Sequence, residues 1–141
     1  MSAPDSYELL DDFGALTRLA GEWRALYERT RGHHLSASFE WARASWETTA
    51  APRGRGLRCL IARRDGQLVL VWPFVCLKQG GLSVLRPLGP EASEYGTVLV
   101  EDGPEQENRI EAAWRALRAI NRCDLITLPN VRSDMTLDRV L

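Results

Sequence analysis

Glu94 and Tyr95 stand side by side at the end of the loop Gly89-Pro-Glu-Ala-Ser-Glu94. A carboxylate beside a phenol can orient an amine or a sugar hydroxyl, although the pair also suits a turn and the start of a strand. Trp41 is the third candidate. If residues 38–50 form a helix, Trp41 sits about 200° around it from Phe39, off the apolar stripe. There it can line a cleft, meet a partner domain, or pack on the loop at 51–56. Trp41, Glu94 and Tyr95 are therefore the candidate substrate-binding residues. His33 and His34 are the only histidines and are adjacent, so a regular helix cannot aim both at one metal, and no metal site is expected. Arg53-Gly-Arg-Gly56 has the look of a phosphate loop, but a strand follows it and no Lys-Ser/Thr completes it. No Ser-His-Asp, Cys-His or paired-carboxylate spacing stands out, and the residues alone name no catalytic group.

These side chains need a scaffold, and residues 57–100 supply the clearest signal. Apolar, β-rich runs are joined by Asp65-Gly66 and Gly80-Gly81, dipeptides suited to two-residue hairpin turns whose central residues take positive φ. A two-residue loop at 65–66 sets Arg64 opposite Gln67, Ile61 opposite Leu70 and Cys59 opposite Trp72. Leu57, Cys59, Ile61, Leu68, Leu70, Trp72 and Phe74 then share one face. Leu60, Ala62, Val69, Val71, Val75 and Leu77 share the other. Both faces are apolar, so both must be covered. Strands are expected at 57–64, 67–78, 82–89 and 95–100, with a bulge or unpaired stretch at Pro73, which cannot donate to a ladder. Ser6 to Leu10 reads as a short first strand and Cys123 to Leu128 as a later one.

Helical spacing surrounds this region. Leu16, Leu19, Ala20, Trp23, Leu26 and Tyr27 mark one face of a helix at 14–30, with Asp11 and Asp12 at its positive end and Gly32 as its C-terminal cap. Ser38 caps a second helix at 39–50 whose stripe is Phe39, Ala42 and Trp46. A third, at 105–121, follows Pro104 and carries Ile110, Ala113, Trp114, Leu117 and Ile120, with Glu111 and Arg115 paired outside. Ser133 suits the cap of a short last helix. The expected fold class is α/β: a sandwich with a mostly antiparallel sheet covered by helices on both faces.

Composition excludes several classes of function. With 141 residues, 45% hydrophobic, 26% charged and net charge −1, the chain is of ordinary globular type and holds no basic stripe for a nucleic-acid backbone. No apolar run approaches the length of a membrane span, and the polar start is no signal peptide, so a cytoplasmic location is the default. Lys78 is the lone lysine among abundant arginine, alanine and glycine, a bias typical of GC-rich bacterial coding. In the expected register Cys59 and Cys76 share a face about 13 Å apart, too far for a disulfide, which needs Cα atoms within about 7 Å. All three cysteines read as small buried hydrophobes.

The order of elements resembles the first two-thirds of the GNAT acyltransferase fold. Ser38-Phe-Glu-Trp41 with Trp46, the strand-turn-strand from Asp65 to Phe74, and Leu85-Arg-Pro-Leu-Gly89 leading to Glu94-Tyr95-Gly96 and Val98-Leu-Val100 resemble one subfamily. These are the cellulose-biosynthesis CelD-like or BioF2-like acetyltransferases, related to the Fem-type peptidyltransferases that build peptidoglycan bridges. The likeness spans roughly residues 5–132. It implies an N-acyltransferase that moves an acyl group from acetyl-coenzyme A or another acyl-coenzyme A to a small-molecule or cell-envelope amine.

One departure from the GNAT pattern bears on the cofactor. GNAT enzymes grip the coenzyme pyrophosphate with a glycine-rich turn before a helix. Here that junction reads Val100-Glu101-Asp102-Gly103-Pro104-Glu105: two carboxylates, a third just inside the helix, and a proline without a donor. The resembled family carries tandem domains, with the coenzyme site in the second. The expectation is a single GNAT-like domain over 1–141, the N-terminal portion of a longer or two-domain transferase, that does not bind the coenzyme by itself. A non-catalytic module binding substrate or a partner is the competing reading. An edge of Leu125, Ile126 and Leu128, with partly uncovered stripes bearing Trp23, Trp46 and Trp114, would favour a homodimer or a companion polypeptide.

Overall fold

The computed structural model describes residues 5–31, 35–88 and 98–127. Its elements run β1 Ser6–Leu10, α1 Phe13–Arg18, α2 Ala20–Arg29, a 3₁₀ turn Leu35–Ala37, α3 Phe39–Ser45 and a π-helical turn Trp46–Ala50. The sheet-forming run follows as β2 Gly56–Arg64, β3 Gln67–Gln79, β4 Leu82–Pro87 and β5 Leu99–Val100, then α4 Gln106–Ile120 and β6 Leu125–Ile126. The sheet order is β1-β2-β3-β4-β6, with β5 also on β3. All pairings are antiparallel except β4 with β6, which is parallel.

Local chemistry sets the element ends. Asp12 caps α1, its carboxylate accepting the Gly14 and Ala15 N–H groups at 3.2 Å each. The expected single helix at 14–30 is two, because the Leu19 N–H bonds the Leu16 carbonyl at 3.0 Å and tightens the chain there. The Ser38 hydroxyl accepts the Trp41 N–H at 3.1 Å and starts α3. That helix ends in a wide turn closed by Ala51 N–H on the Trp46 carbonyl at 2.8 Å. Asp65 and Gly66 take φ of 52° and 80°, and Gly80 and Gly81 take 59° and 84°, as both two-residue turns require. The Gly32 and Ser133 caps, and the parts of the expected strands at 89, 95–97 and 128, lie outside the described residues.

The register departs from expectation by one residue. Arg64 pairs with Gln67 and Arg63 with Leu68, but Ala62 pairs with Leu70, so Val69 is an extra residue in β3. Beyond this bulge Ile61 faces Val71 rather than Leu70, and Cys59 faces Pro73 rather than Trp72. Sides of the sheet follow. Val71, Val75 and Leu77 join Leu57, Cys59 and Ile61 under α1, α2 and α3. Leu70, Trp72, Phe74 and Cys76 join Leu60 and Ala62 under α4. Cys59 and Cys76 therefore lie on opposite faces, not one.

Pro73 hosts no bulge. Its carbonyl accepts the Leu88 N–H at 3.0 Å, so its missing N–H points to that same edge and no bond to β2 is lost. The absent donor falls where β4 ends. On this edge β4 pairs with β3 from Gln79 to Phe74, and β5 resumes opposite Val71 and Leu70. β4 and β5 are thus two segments in line along one edge of β3.

Both faces are covered. Under α2, Trp23 is 1% exposed and donates from Nε1 to the Ala37 carbonyl at 2.9 Å, while its ring meets Phe39 edge-on at 5.5 Å. Trp23 is thus enclosed rather than partly uncovered; Trp46, stacked on Phe13 at 5.8 Å, and Trp114 are half-buried. On the other face Ile110, Ala113 and Leu117 of α4 press on Leu60, Leu70, Trp72 and Leu85. Ile120, at the end of the expected stripe, is exposed.

Candidate functional site

In the resembled fold the chemistry gathers where the strand before α4 meets that helix. Here β5 ends at Val100, and the Glu101 N–H is bonded to the Val69 carbonyl at 2.9 Å. Gly103 has φ of 142°, a conformation that favours glycine. Pro104 brings no donor, and the Gln106 N–H already bonds the Gly103 carbonyl at 3.2 Å. The N–H groups of Glu101 and Gln106 are therefore already taken.

Its carboxylates are tied to cations and donors of the same chain. Asp102 accepts the Arg31 backbone N–H at 2.6 Å, fastening the end of α2. Glu101 lies 3.9 Å from Arg29, whose Nη2 also donates to the Leu68 carbonyl at 2.7 Å. Glu105 pairs with Arg64 at 3.1 Å and Arg109 at 3.7 Å. Arg109 is the buried member, its side chain 4% exposed, and its Nε donates to Asp5 at 2.7 Å. Burial alone would pull the Arg109 guanidinium down. The Asp5 hydrogen bond and charge, with Glu101 and Glu105, outweigh it and hold it above its ordinary value. Tyr7, whose hydroxyl donates to the Arg109 carbonyl at 3.5 Å, is pushed up to about 12 by burial and then by the Asp5 charge.

A coenzyme pyrophosphate needs free N–H donors and a positive field at this turn. Two of the N–H groups here are taken and Pro104 has none, the carboxylates of Glu101, Asp102, Glu105 and Glu107 oppose an anion, and Arg29, Arg64 and Arg109 are paired with Glu101 and Glu105. The residues do not fit the group.

A second feature lies at the other end of α4, about 20 Å away for a helix of 15 residues. An open groove of about 300 Å³ is lined by Trp114, Arg118, Asn121, Cys123, Asp124, Leu125 and Ile126. Trp114 backs onto Trp72 at 6.2 Å. The Ser83 N–H and hydroxyl, at 2.8 and 3.0 Å, hold the Asp124 carboxyl below its ordinary range.

Of the sequence candidates, Trp41 is half-buried on α3, and among the described residues no hydrogen bond or ion pair joins it to the junction. Glu94 and Tyr95 lie outside the described residues, as do His33 and His34. The described residues on either side of Glu94 and Tyr95, Leu88 and Leu99, lie against the same edge of β3, opposite Pro73 and Val71. Sequence reasoning missed two features: the Arg109–Asp5–Glu105 cluster, and Cys76 and Cys123, whose sulfurs lie 2.7 Å apart. Among the described residues no group of three His, Cys, Asp or Glu could hold a metal, and no helix is long and apolar enough to cross a membrane.

With this geometry in hand, one solved structure aligns with the chain. It is a ribosomal-protein-alanine N-acetyltransferase from Brucella melitensis biovar Abortus 2308, 18% identical, with a TM-score of 0.52 over 98% of this chain and 88% of that one. The fold is GNAT-like. No protein-family model matches the chain, and no curated protein sequence matches it.

Proposed function

We propose that this chain is the N-terminal, acceptor-side part of a GNAT-type N-acyltransferase, of the cellulose-biosynthesis kind related to Fem-type peptidyltransferases. The acyl group moves to an amine, small or cell-envelope-borne, from acyl-coenzyme A whose pyrophosphate is held outside this chain. The GNAT-like fold and its N-acetyltransferase neighbour support acyl transfer. The observation that separates this reading from a self-sufficient enzyme is the β5–α4 junction, whose carboxylates crowd the turn and pair with Arg29, Arg64 and Arg109, and whose proline brings no donor. An amine acceptor at neutral pH is an ammonium ion that must be oriented and give up a proton. Trp41, Glu94 and Tyr95 are the groups proposed to hold it. Support for the latter two is positional, since they fall in sequence between β4 and β5, which both pair with β3.

Titration calorimetry of this chain with acetyl-coenzyme A is the test. The expected result is no binding at concentrations where a Kd of about 10 μM would register. Tight binding, with release of free coenzyme on adding an amine, would overturn the division of labour and make the chain a complete catalyst. The filled junction also favours a second reading, a non-catalytic module that binds the amine or a partner protein. Acyl transfer that is absent with and without further domains would select it.

A further inference from the structure

We infer that Cys76 and Cys123 form a reversible intramolecular disulfide, making this pair a redox-modifiable site beside the groove at the C-terminal end of α4. Their sulfurs are 2.7 Å apart, and both residues are half-buried, within reach of a small oxidant. A disulfide bond is about 2.05 Å long, so closure needs a shift of well under 1 Å.

The backbone presents the two thiols to one another without help from a bond. The β3 bulge turns Cys76 to the α4 side of the sheet, where it packs in the same apolar cluster as Cys123. On the other partner, Asn121 donates from Nδ2 to the Leu117 carbonyl at 2.7 Å and accepts the Cys123 N–H at 2.8 Å. One residue further on, the Asp124 N–H bonds the Ser83 carbonyl at 2.9 Å. Cys123 is thereby fastened on both sides, to the end of α4 and to β4. Cys59 provides the contrast: it is 0% exposed, and burial pushes its thiol far up, so it is inert.

The oxidant is a low-molecular-weight disulfide. One thiol loses its proton, and its thiolate attacks the oxidant, forming a mixed disulfide and releasing one small thiol. The second protein thiolate then attacks that mixed disulfide, forming the Cys76–Cys123 bond and releasing the other small thiol. Two electrons and two hydrogens pass from the protein to the oxidant, and nothing else is consumed. Burial and the Cys76 thiol beside it push Cys123 up to about 11, so the exchange quickens as pH rises. Because Cys123 lines the groove, the bond locks the groove wall onto the central strand, and an excess of small thiol reverses it.

The test oxidises the full chain with oxidised glutathione, blocks remaining thiols by alkylation, and maps the peptides by mass. The expected product is a monomer two hydrogens lighter, with the Cys76 peptide joined to the Cys123 peptide and Cys59 alkylated only after unfolding. Cys123→Ser should instead accumulate a persistent glutathione adduct on Cys76, because the resolving thiol is gone. Persistent adducts on wild type, cross-links between chains, or full alkylation of both thiols after oxidant would each overturn the inference.

Discussion

Replacing Arg109 by Met tests whether the buried cluster ties β1 to α4. At 2.7 Å, and an effective dielectric of about 20, the Arg109–Asp5 attraction is about 6 kcal/mol before desolvation. Removing both charges from water takes back most of that, so the pair is worth little relative to two apolar residues. Removing only Arg109 is different. Asp5, with a side chain only 14% exposed, keeps its desolvation and loses its partner. Arg109→Met should therefore destabilise the fold by about 3–4 kcal/mol, a large share of the roughly 5–15 kcal/mol of a typical domain. With a urea m value of about 2 kcal/mol/M, the midpoint falls by about 1.5–2 M. Asp5→Leu combined with Arg109→Met should recover to within about 1 kcal/mol of wild type, since no lone charge is left. Urea melts followed by tryptophan fluorescence measure all three variants. A loss below about 1 kcal/mol for Arg109→Met, or a double variant equal to the sum of the singles, would refute the argument.

Two tryptophans test hydrogen bonding in the same way. Trp72 is 0% exposed, and among the described residues its Nε1 has no partner, whereas Trp23 donates to the Ala37 carbonyl. Both lose volume on mutation to Phe, but Trp23→Phe strands a buried carbonyl and Trp72→Phe removes a stranded donor, so denaturant melts should place Trp23→Phe about 2 kcal/mol below Trp72→Phe. The Glu22 carboxyl is held below its ordinary range by the Arg63 hydrogen bond, at 2.6 Å. A depressed folded value means stability that is present above the unfolded pKa and lost as pH falls through the folded one. The pair is largely solvent-screened, so Glu22→Gln should remove only about 0.5 kcal/mol at pH 7, with the difference vanishing in acid.

Much of the scaffold was legible because short-range chemistry fixes it. Asp65-Gly66, Gly80-Gly81, Asp12 and Ser38 act within a few residues of themselves, and two apolar sheet faces require helices on both. The β3 bulge was not legible. Leu68 to Val75 is apolar at every position, so shifting the register by one buries the same residue types and leaves no alternation to choose between alternatives. That single residue misplaced Cys76, and with it the sulfur pair. At the junction the sequence showed the carboxylates but not their partners, since Arg31 is 71 residues from Asp102 and Arg64 is 41 from Glu105. Those contacts belong to the tertiary fold. Glu94 and Tyr95 were chosen for their chemistry, and the described residues fix only where their segment is anchored.

The interruption at Pro73 has a consequence for how such a protein can diversify. Leu88 lies opposite Pro73, and Leu99 lies opposite Val71, so the residues flanking 89–97 are held within a couple of residues of the same place on β3. Both flanks are held by the ladder whatever lies between them. In general, doubling the length of a chain connection whose ends are fixed costs only about 0.6 kcal/mol in closure entropy. Residues 89–97 can therefore be rewritten, shortened or extended while the hydrogen bonds on either side keep the sheet in register. The edge of β3 works as a socket that fixes both flanks of 89–97, and under the proposed acyl-transfer function a change of acceptor needs no change of core.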